Sequence, residues 1–483
     1  MNGDFSRTTF RPEMHYSGVL MQQGRVLLDS DWNEQVAIFN YYFQTLARDL
    51  IGPYGGPRLN AGFKVLKQGD KEIPEELKST ALTHNFWIGP GHYYVDGLLC
   101  QNDGLKLYAP PDAGAGISQS DWIPEEWDGD GPYLVYLDVW QRHVTALEDQ
   151  AIREVALGPQ GPDTTTRVKT VWQVKTIKLT DQAFNNLTCA NTITLPGSTT
   201  IHEGWAKLLK DLQPENRGRL RAKADEPDDI NATNPCIISP DARFRGSENQ
   251  LYRVEIHEGG KAGQATFNWS RDNGSVAFAI RSHSGNKVNL EHMGRDERSG
   301  IQVGDWVEIE GANHASRERR SASPLLRVEE VNYVDMFVLL SKAPETGEPG
   351  RVLRRWDQKA GDPLIGGLEL RDGAALIKEA APERDNWLSL EDGVQIQFEQ
   401  SSPANVYRTG DYWIIPARTA TADVDWPGPL NAPTALDPHG IEHHYAPLAR
   451  ITVQNNNVTE VLADLRRMFG PLAECEGLGG GGQ

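Results

Sequence analysis

Near the start of the chain, apolar and aromatic side chains fall at Trp32, Val36, Phe39, Phe43, Leu46 and Leu50. The 4-3-4-3-4 spacing keeps all six on one face of a 3.6-residue helix, so it predicts an amphipathic helix over residues 31–50 with a heptad-like stripe. Asp29, Ser30 and Asp31 supply capping oxygens and negative charge at its start, where backbone N–H groups are free and the dipole is positive. Gly52-Pro53 predicts its end, because glycine permits a reversing backbone and proline cannot continue the ladder. Such a stripe packs either inside its own domain or against a helix of another subunit. These six residues form the candidate assembly interface.

Beyond residue 60 the pattern changes to short runs of β-branched and aromatic residues, which predict strands over 133–140, 170–177 and 251–256. Two more runs, 265–270 and 276–280, flank Arg271-Asp272-Asn273-Gly274-Ser275. Asn-Gly tolerates positive φ at both positions, so a β-hairpin is expected there. Runs at 304–309, 325–328, 336–340, 395–398 and 412–415 fit strands of a compact barrel or sandwich. Trp205, Leu208, Leu209 and Leu212 predict one short amphipathic helix, and 461–468 a second. The fold class expected is mainly β with a long N-terminal helix (α+β), built of several small β-sandwich or barrel-like modules. The divisions are an N-terminal anchoring segment over 1–60, β-rich regions over 61–240 and 241–400, a β/α region over 401–470 and a flexible glycine-rich tail over 471–483. Linkers are expected at 109–116, 225–229 and 427–438, from their Pro, Gly and acidic content.

Composition narrows the function without naming it. The 483 residues carry 48 Lys+Arg and 67 Asp+Glu, a net charge of −19. That balance argues against a phosphate-backbone partner, which needs a cationic footprint, and against membrane docking by charge, leaving only indirect membrane contact. No apolar run approaches the length of a membrane span, and the N-terminus has no apolar signal-peptide core. Cys100, Cys189, Cys236 and Cys475 are scattered without CxxC spacing, as expected of free or buried thiols in a reducing compartment.

Few clusters suggest chemistry. Glu442-His443-His444 is the most metal-like, but adjacent histidines on a strand point to opposite faces and would not share an ion. Asp128-Gly129-Asp130-Gly131 lacks the further oxygen ligands and closing Glu of a calcium loop, so it reads as a turn. Carboxylate pairs such as Glu125-Glu126 or Asp423/Asp425 could serve a hydrolase only at a set separation across a cleft. Tyr412, Trp413 and Trp426 could stack on sugar rings, although tryptophans in β-rich folds more often fill cores. There is no GxSxG and no GxxxxGK[ST]. No catalytic residue, cofactor or metal is therefore assigned.

Several segments together resemble an uncharacterised bacterial family encoded with phage-tail-like contractile injection systems. They are Gly3-Asp4-Phe5-Ser6-Arg7, His15 through Val26, and Asp29-Ser30-Asp31-Trp32-Asn33-Glu34-Gln35. Phe244 through His257, Ala265 through Val276 around Trp269-Ser270-Arg271-Asp272-Asn273-Gly274, Gly410-Asp411-Tyr412-Trp413 with Pro416-Ala417-Arg418, and His443 through Leu448 complete the set. The resemblance implies a non-catalytic structural accessory component, such as a ring or crown at the baseplate. It implies as partners other injection-system subunits, whether baseplate, sheath or tube proteins, and further copies of the chain in a symmetric ring. The expected location is the bacterial cytoplasm during assembly, then a particle that is membrane-anchored or released. A glycan or cell-envelope binding module and a cell-wall or polysaccharide hydrolase are the competing expectations.

Overall fold

The computed structural model describes residues 2–78, 82, 84–109, 119, 127–158, 163–179, 184, 186–193, 201–213, 216–225, 243–296, 298–311, 322–344, 350–363, 366–380 and 386–471. The fold is mainly β, with several sheets and one closed six-stranded barrel. The expected linkers at 109–116 and 225–229 lie almost wholly outside the described residues, as do the glycine-rich tail, Glu125-Glu126, Cys236 and Cys475. Among the described residues there are two α-helices, α1 (Asp29–Ile51) and α2 (Glu203–Leu212).

The largest core lies between a four-stranded sheet and its neighbours. Strand Gly131–Val144 sits at the centre of that sheet, antiparallel to Arg167–Lys178 on one side and His444–Gln454 on the other. Eight consecutive residues of the central strand, Tyr133 to Trp140, are buried. A strand covered on both faces has no solvent side, so it reads as a continuous run rather than an alternation. One face joins Phe63, Phe86, Tyr93 and Trp127 in the main core. The other packs on α2 through Leu134 and Tyr136 against Trp205 and Leu208.

A second core lies under a six-stranded sheet in which Gln250–Ile256 pairs with Thr266–Ser270 and Tyr412–Arg418. The barrel is inserted into that sheet. Its strands are Ala277–Ser284, Lys287–Leu290, Trp306–Gly311, Leu325–Asn332, Phe337–Leu340 and Gly350–Trp356, closed around a separate apolar core. The chain leaves the sheet after Ser270 and returns at Leu370–Arg371, which pairs with Ala374–Leu376, and the latter pairs in turn with Thr266 and Phe267.

Two expectations are corrected. Asn273 and Gly274 do adopt positive φ, 50° and 65°, but the flanking strands do not form a hairpin. Thr266–Ser270 belongs to the six-stranded sheet and Ala277–Ser284 to the barrel, so the turn is the crossing between them. Turn chemistry is local, whereas partner choice is decided by distant strands. Residues 461–468 do not form a helix: Asn457–Asp464 is a strand paired with His444–Gln454. The region 401–470 is therefore strand and loop among the described residues. Ladders also join segments far apart in the chain: His444–Gln454 pairs with Gly131–Val144, and Leu220–Ala224 pairs with Val394–Glu399.

Candidate functional site

The 23-residue helix α1 spans the predicted stretch with two residues added at its start and one at its end. Its capping differs from expectation. Leu28 occupies the N-cap, and Asp31 accepts the Leu28 N–H at 3.3 Å, which satisfies a backbone donor from inside the first turn. Asp29 instead faces the N-terminal arm, where its carboxylate accepts the Ser6 hydroxyl (2.6 Å) and N–H (2.9 Å). Burial acts to raise the Asp29 pKa, but these bonds from Ser6 outweigh it and hold the carboxyl below the usual range. At the other end, the Gly52 N–H caps the Arg48 carbonyl at φ 91°, as the glycine predicted.

One face of α1 seats on the body. Ser30 and Ile38 are buried, and Ala37, Gln44 and Thr45 are half-buried on the same side. The seat is the turn between strands Gly91–Val95 and Leu98–Asn102. Gly97 there, at φ 80°, lies so close that a Cβ would stand 2.5 Å from the Gln44 carbonyl oxygen. Only glycine allows this approach at this backbone angle.

The opposite face carries the candidate residues, and it is open. Trp32 is 67% exposed and Phe43 70%, and Val36, Phe39, Leu46 and Leu50 are each more than two-fifths exposed. At 100° per residue the six fall within a sector of about 80°, close to the width of a coiled-coil seam. Among the described residues the stripe thus covers no core. The segment that precedes the helix adds to it. Tyr16, Leu20, Met21, Val26, Leu27 and Leu28 are all exposed, Leu20 to 91%. This segment turns back at Gly24 (φ 74°), where the Arg25 N–H bonds the Gln22 carbonyl, and is tied to the helix by the Val19 N–H donating to Gln35 Oε1 at 2.7 Å. A contiguous apolar surface of this kind, exposed on a helix and its arm, marks an interaction site.

The residues ahead of the arm explain how the helix is held. The Gly3 N–H donates to the Asn273 carbonyl (3.3 Å), and the Asn273 side-chain amide donates back to the Gly3 carbonyl (2.9 Å). Asn273 is also fixed by Arg253, whose guanidinium stacks 3.5 Å from the Tyr412 ring and pairs with Glu255. Phe5 packs edge-on against His143, Arg418 donates to the Ser6 carbonyl (2.7 Å), and Arg7 pairs with Asp425. Phe10 then meets Tyr41 of α1. Residues 3–10 therefore strap the six-stranded sheet, the central strand of the four-stranded sheet and the helix together. The segments singled out in the sequence at Gly3–Arg7, Asp29, Arg253, Asn273-Gly274, Tyr412 and Arg418 converge on this one junction. Nothing in their spacing announced the convergence, since they lie up to 415 positions apart in the 483-residue chain.

The chain belongs to the DUF6519 family. That family of unknown function matches over residues 1–195 and 207–459, so the strap, the arm, α1 and both cores lie within the matched stretches. No curated protein matches the DUF6519 chain.

The remaining candidate clusters occupy other places in this DUF6519 fold. His443 and His444 go to different carboxylates, Asp138 at 2.6 Å and Asp96 at 2.8 Å, as opposite strand faces require. Asp138 is fully buried and also accepts from Lys175 at 2.6 Å. Asp128-Gly129-Asp130-Gly131 forms a turn in which Asp130 accepts the Asn455 N–H and the Gly129 carbonyl accepts the Tyr133 hydroxyl. Trp413 lies in the second core with its indole N–H on the Leu436 carbonyl, and Trp426 donates to the Thr434 carbonyl. Trp413 therefore has no face left for a sugar. Cys100 is a buried free thiol, pushed by burial up to about 12, and Cys189 is exposed and free. No helix among the described residues is long and apolar enough to cross a membrane.

Proposed function

We propose that this chain is a structural accessory subunit of a phage-tail-like contractile injection system, a ring or crown component at the baseplate that docks through α1 and its arm. The observation that carries the reading is the open stripe from Trp32 to Leu50, continuous with the exposed apolar arm and strapped to a rigid β body. Single exposed apolar residues are ordinary, but a whole helix face with an adjoining arm is not. The resemblance of the strap and helix segments to proteins encoded with such particles supplies the kind of assembly. In a symmetric particle the same contact repeats, so moderate affinity at each copy sums to firm attachment.

The test is to purify contractile particles from cells producing a tagged chain. The wild-type chain co-sediments with the particles and a cryo-EM map places it at the baseplate, with α1 against a neighbour. The Phe39→Asp/Phe43→Asp variant stays in the supernatant while its strand-dominated circular dichroism is unchanged. A tagged chain absent from intact particles removes the reading.

A further inference from the structure

We infer that the partner of the open stripe on α1 is the stripe of a second copy, packed antiparallel about a two-fold axis. The inference rests on the reading of this face as an assembly interface and names what covers it. Three observations on the helix support it.

The first is area. From the exposures of Trp32, Val36, Phe39, Phe43, Leu46 and Leu50, the stripe offers on the order of 700 Å² of apolar surface per chain. Complete burial of both stripes would remove about 1,400 Å², which reaches the standard range for a stable specific interface. The arm, with Leu20 and Val26 to Leu28 exposed alongside, adds to that figure rather than being needed for it.

The second is the spacing itself. The 4-3-4-3-4 series is palindromic about position 41, so an antiparallel copy sets Trp32 against Leu50, Val36 against Leu46, and Phe39 against Phe43. Each row then pairs a larger with a smaller side chain at the ends and two aromatic rings at the centre, and every contact occurs twice, as an isologous interface demands.

The third is charge. None of the six stripe residues is charged, although the chain carries −19 overall. The first turns of α1 hold Asp29, Asp31 and Glu34, and the last turn holds Arg48 beside Asp49. A parallel pair would set two acidic ends side by side. The antiparallel pair sets each acidic end beside a turn of no net charge and opposes the two helix dipoles.

Light scattering on the full chain tests the pairing. The expected mass is twice 53.6 kDa, and Phe39→Asp/Phe43→Asp weakens self-association at least 100-fold without changing the circular dichroism. Orientation is read by pulsed EPR on an Asn33→Cys spin label in a Cys189→Ser, Cys236→Ser, Cys475→Ser background. Antiparallel helices place the two labels about 25–35 Å apart, and parallel ones about 10–15 Å. A wild-type monomer, a dimer that survives the double substitution, or the short distance overturns the inference. A monomer that nevertheless co-sediments with particles through the stripe overturns the second-copy partner and leaves the assembly reading standing. A dimer absent from particles does the reverse.

Discussion

Gly97→Ala tests whether the seat of α1 is what positions the assembly face. The added Cβ would stand 2.5 Å from the Gln44 carbonyl oxygen and 2.7 Å from its Cα. Both are helix backbone atoms, so no flexible side chain can give way, and α1 must retreat by roughly 1 Å to restore an ordinary contact. The alanine must also hold φ near 80°, which costs about 1–2 kcal/mol for a residue with a Cβ. Retreat loosens Ile38, the one fully buried apolar residue of the helix, whose burial contributes about 2–3 kcal/mol. Helix docking should therefore weaken by about 3 kcal/mol, which leaves α1 held by the strap and arm contacts at Asp29, Gln35 and Tyr41, and a helix lifted from its seat is marginal in water. Hydrogen exchange read by mass spectrometry checks this. Amides in 29–51 should exchange about 100-fold faster, while those of Gly131–Val144 are unchanged. If exchange in the helix stays within two-fold of wild type, the helix is not held by this turn and the reasoning fails.

Three further outcomes follow from the same geometry. Trp413→Ala should lower stability by about 3–5 kcal/mol, measured by chemical denaturation, because it empties a core position beside Phe398. Asp138→Ala leaves buried Lys175 without its carboxylate and should cost about 3–5 kcal/mol in the same assay, whereas an exposed pair such as Arg7–Asp425 should cost under about 1 kcal/mol. Burial holds His143, beneath Phe5, down to about 4 from the ordinary 6.5. The unfolded chain takes up that proton near 6.5 and the folded chain does not, so stability is intact above 6.5 and falls as pH drops to about 4, by up to about 3 kcal/mol. Phe5→Ala uncovers the ring and should move its NMR titration back toward 6.5.

The parts of the fold legible in the sequence are those set by local periodicity. The α1 stripe follows from residue spacing alone, and the strands at 133–140, 170–177 and 251–256 follow from their β-branched and aromatic content. Partner choice was not legible. Asn273-Gly274 has the chemistry of a tight turn and makes one, yet its flanking strands join different sheets because the six-stranded sheet and the barrel each offer longer-range partners. Val461, Leu462, Leu465 and Met468 carry helix-like spacing, but the edge of His444–Gln454 was available to pair with that segment, and tertiary pairing overrode it. At the candidate site the open face was readable only as one of two alternatives. Whether a stripe points inward depends on the seat at Gly97 and the strap at Gly3 to Phe10, and both depend on contacts between residues far apart in the chain.

The inserted barrel bears on how the second core can close during folding. Thr266 must find Leu376 across about 110 intervening residues, and the entropy of closing a loop grows with the logarithm of its length. The first and last strands of the barrel, Ala277–Ser284 and Gly350–Trp356, are hydrogen-bonded neighbours. Once the barrel has formed, its two ends are a strand-width apart and the free loop shrinks to about 30 residues, which lowers the closure cost by about 1 kcal/mol. The barrel then acts as a clasp that shortens the chain for the sheet around it, so a substitution inside the barrel's own core that unravels it slows the closure of a second core some strands away.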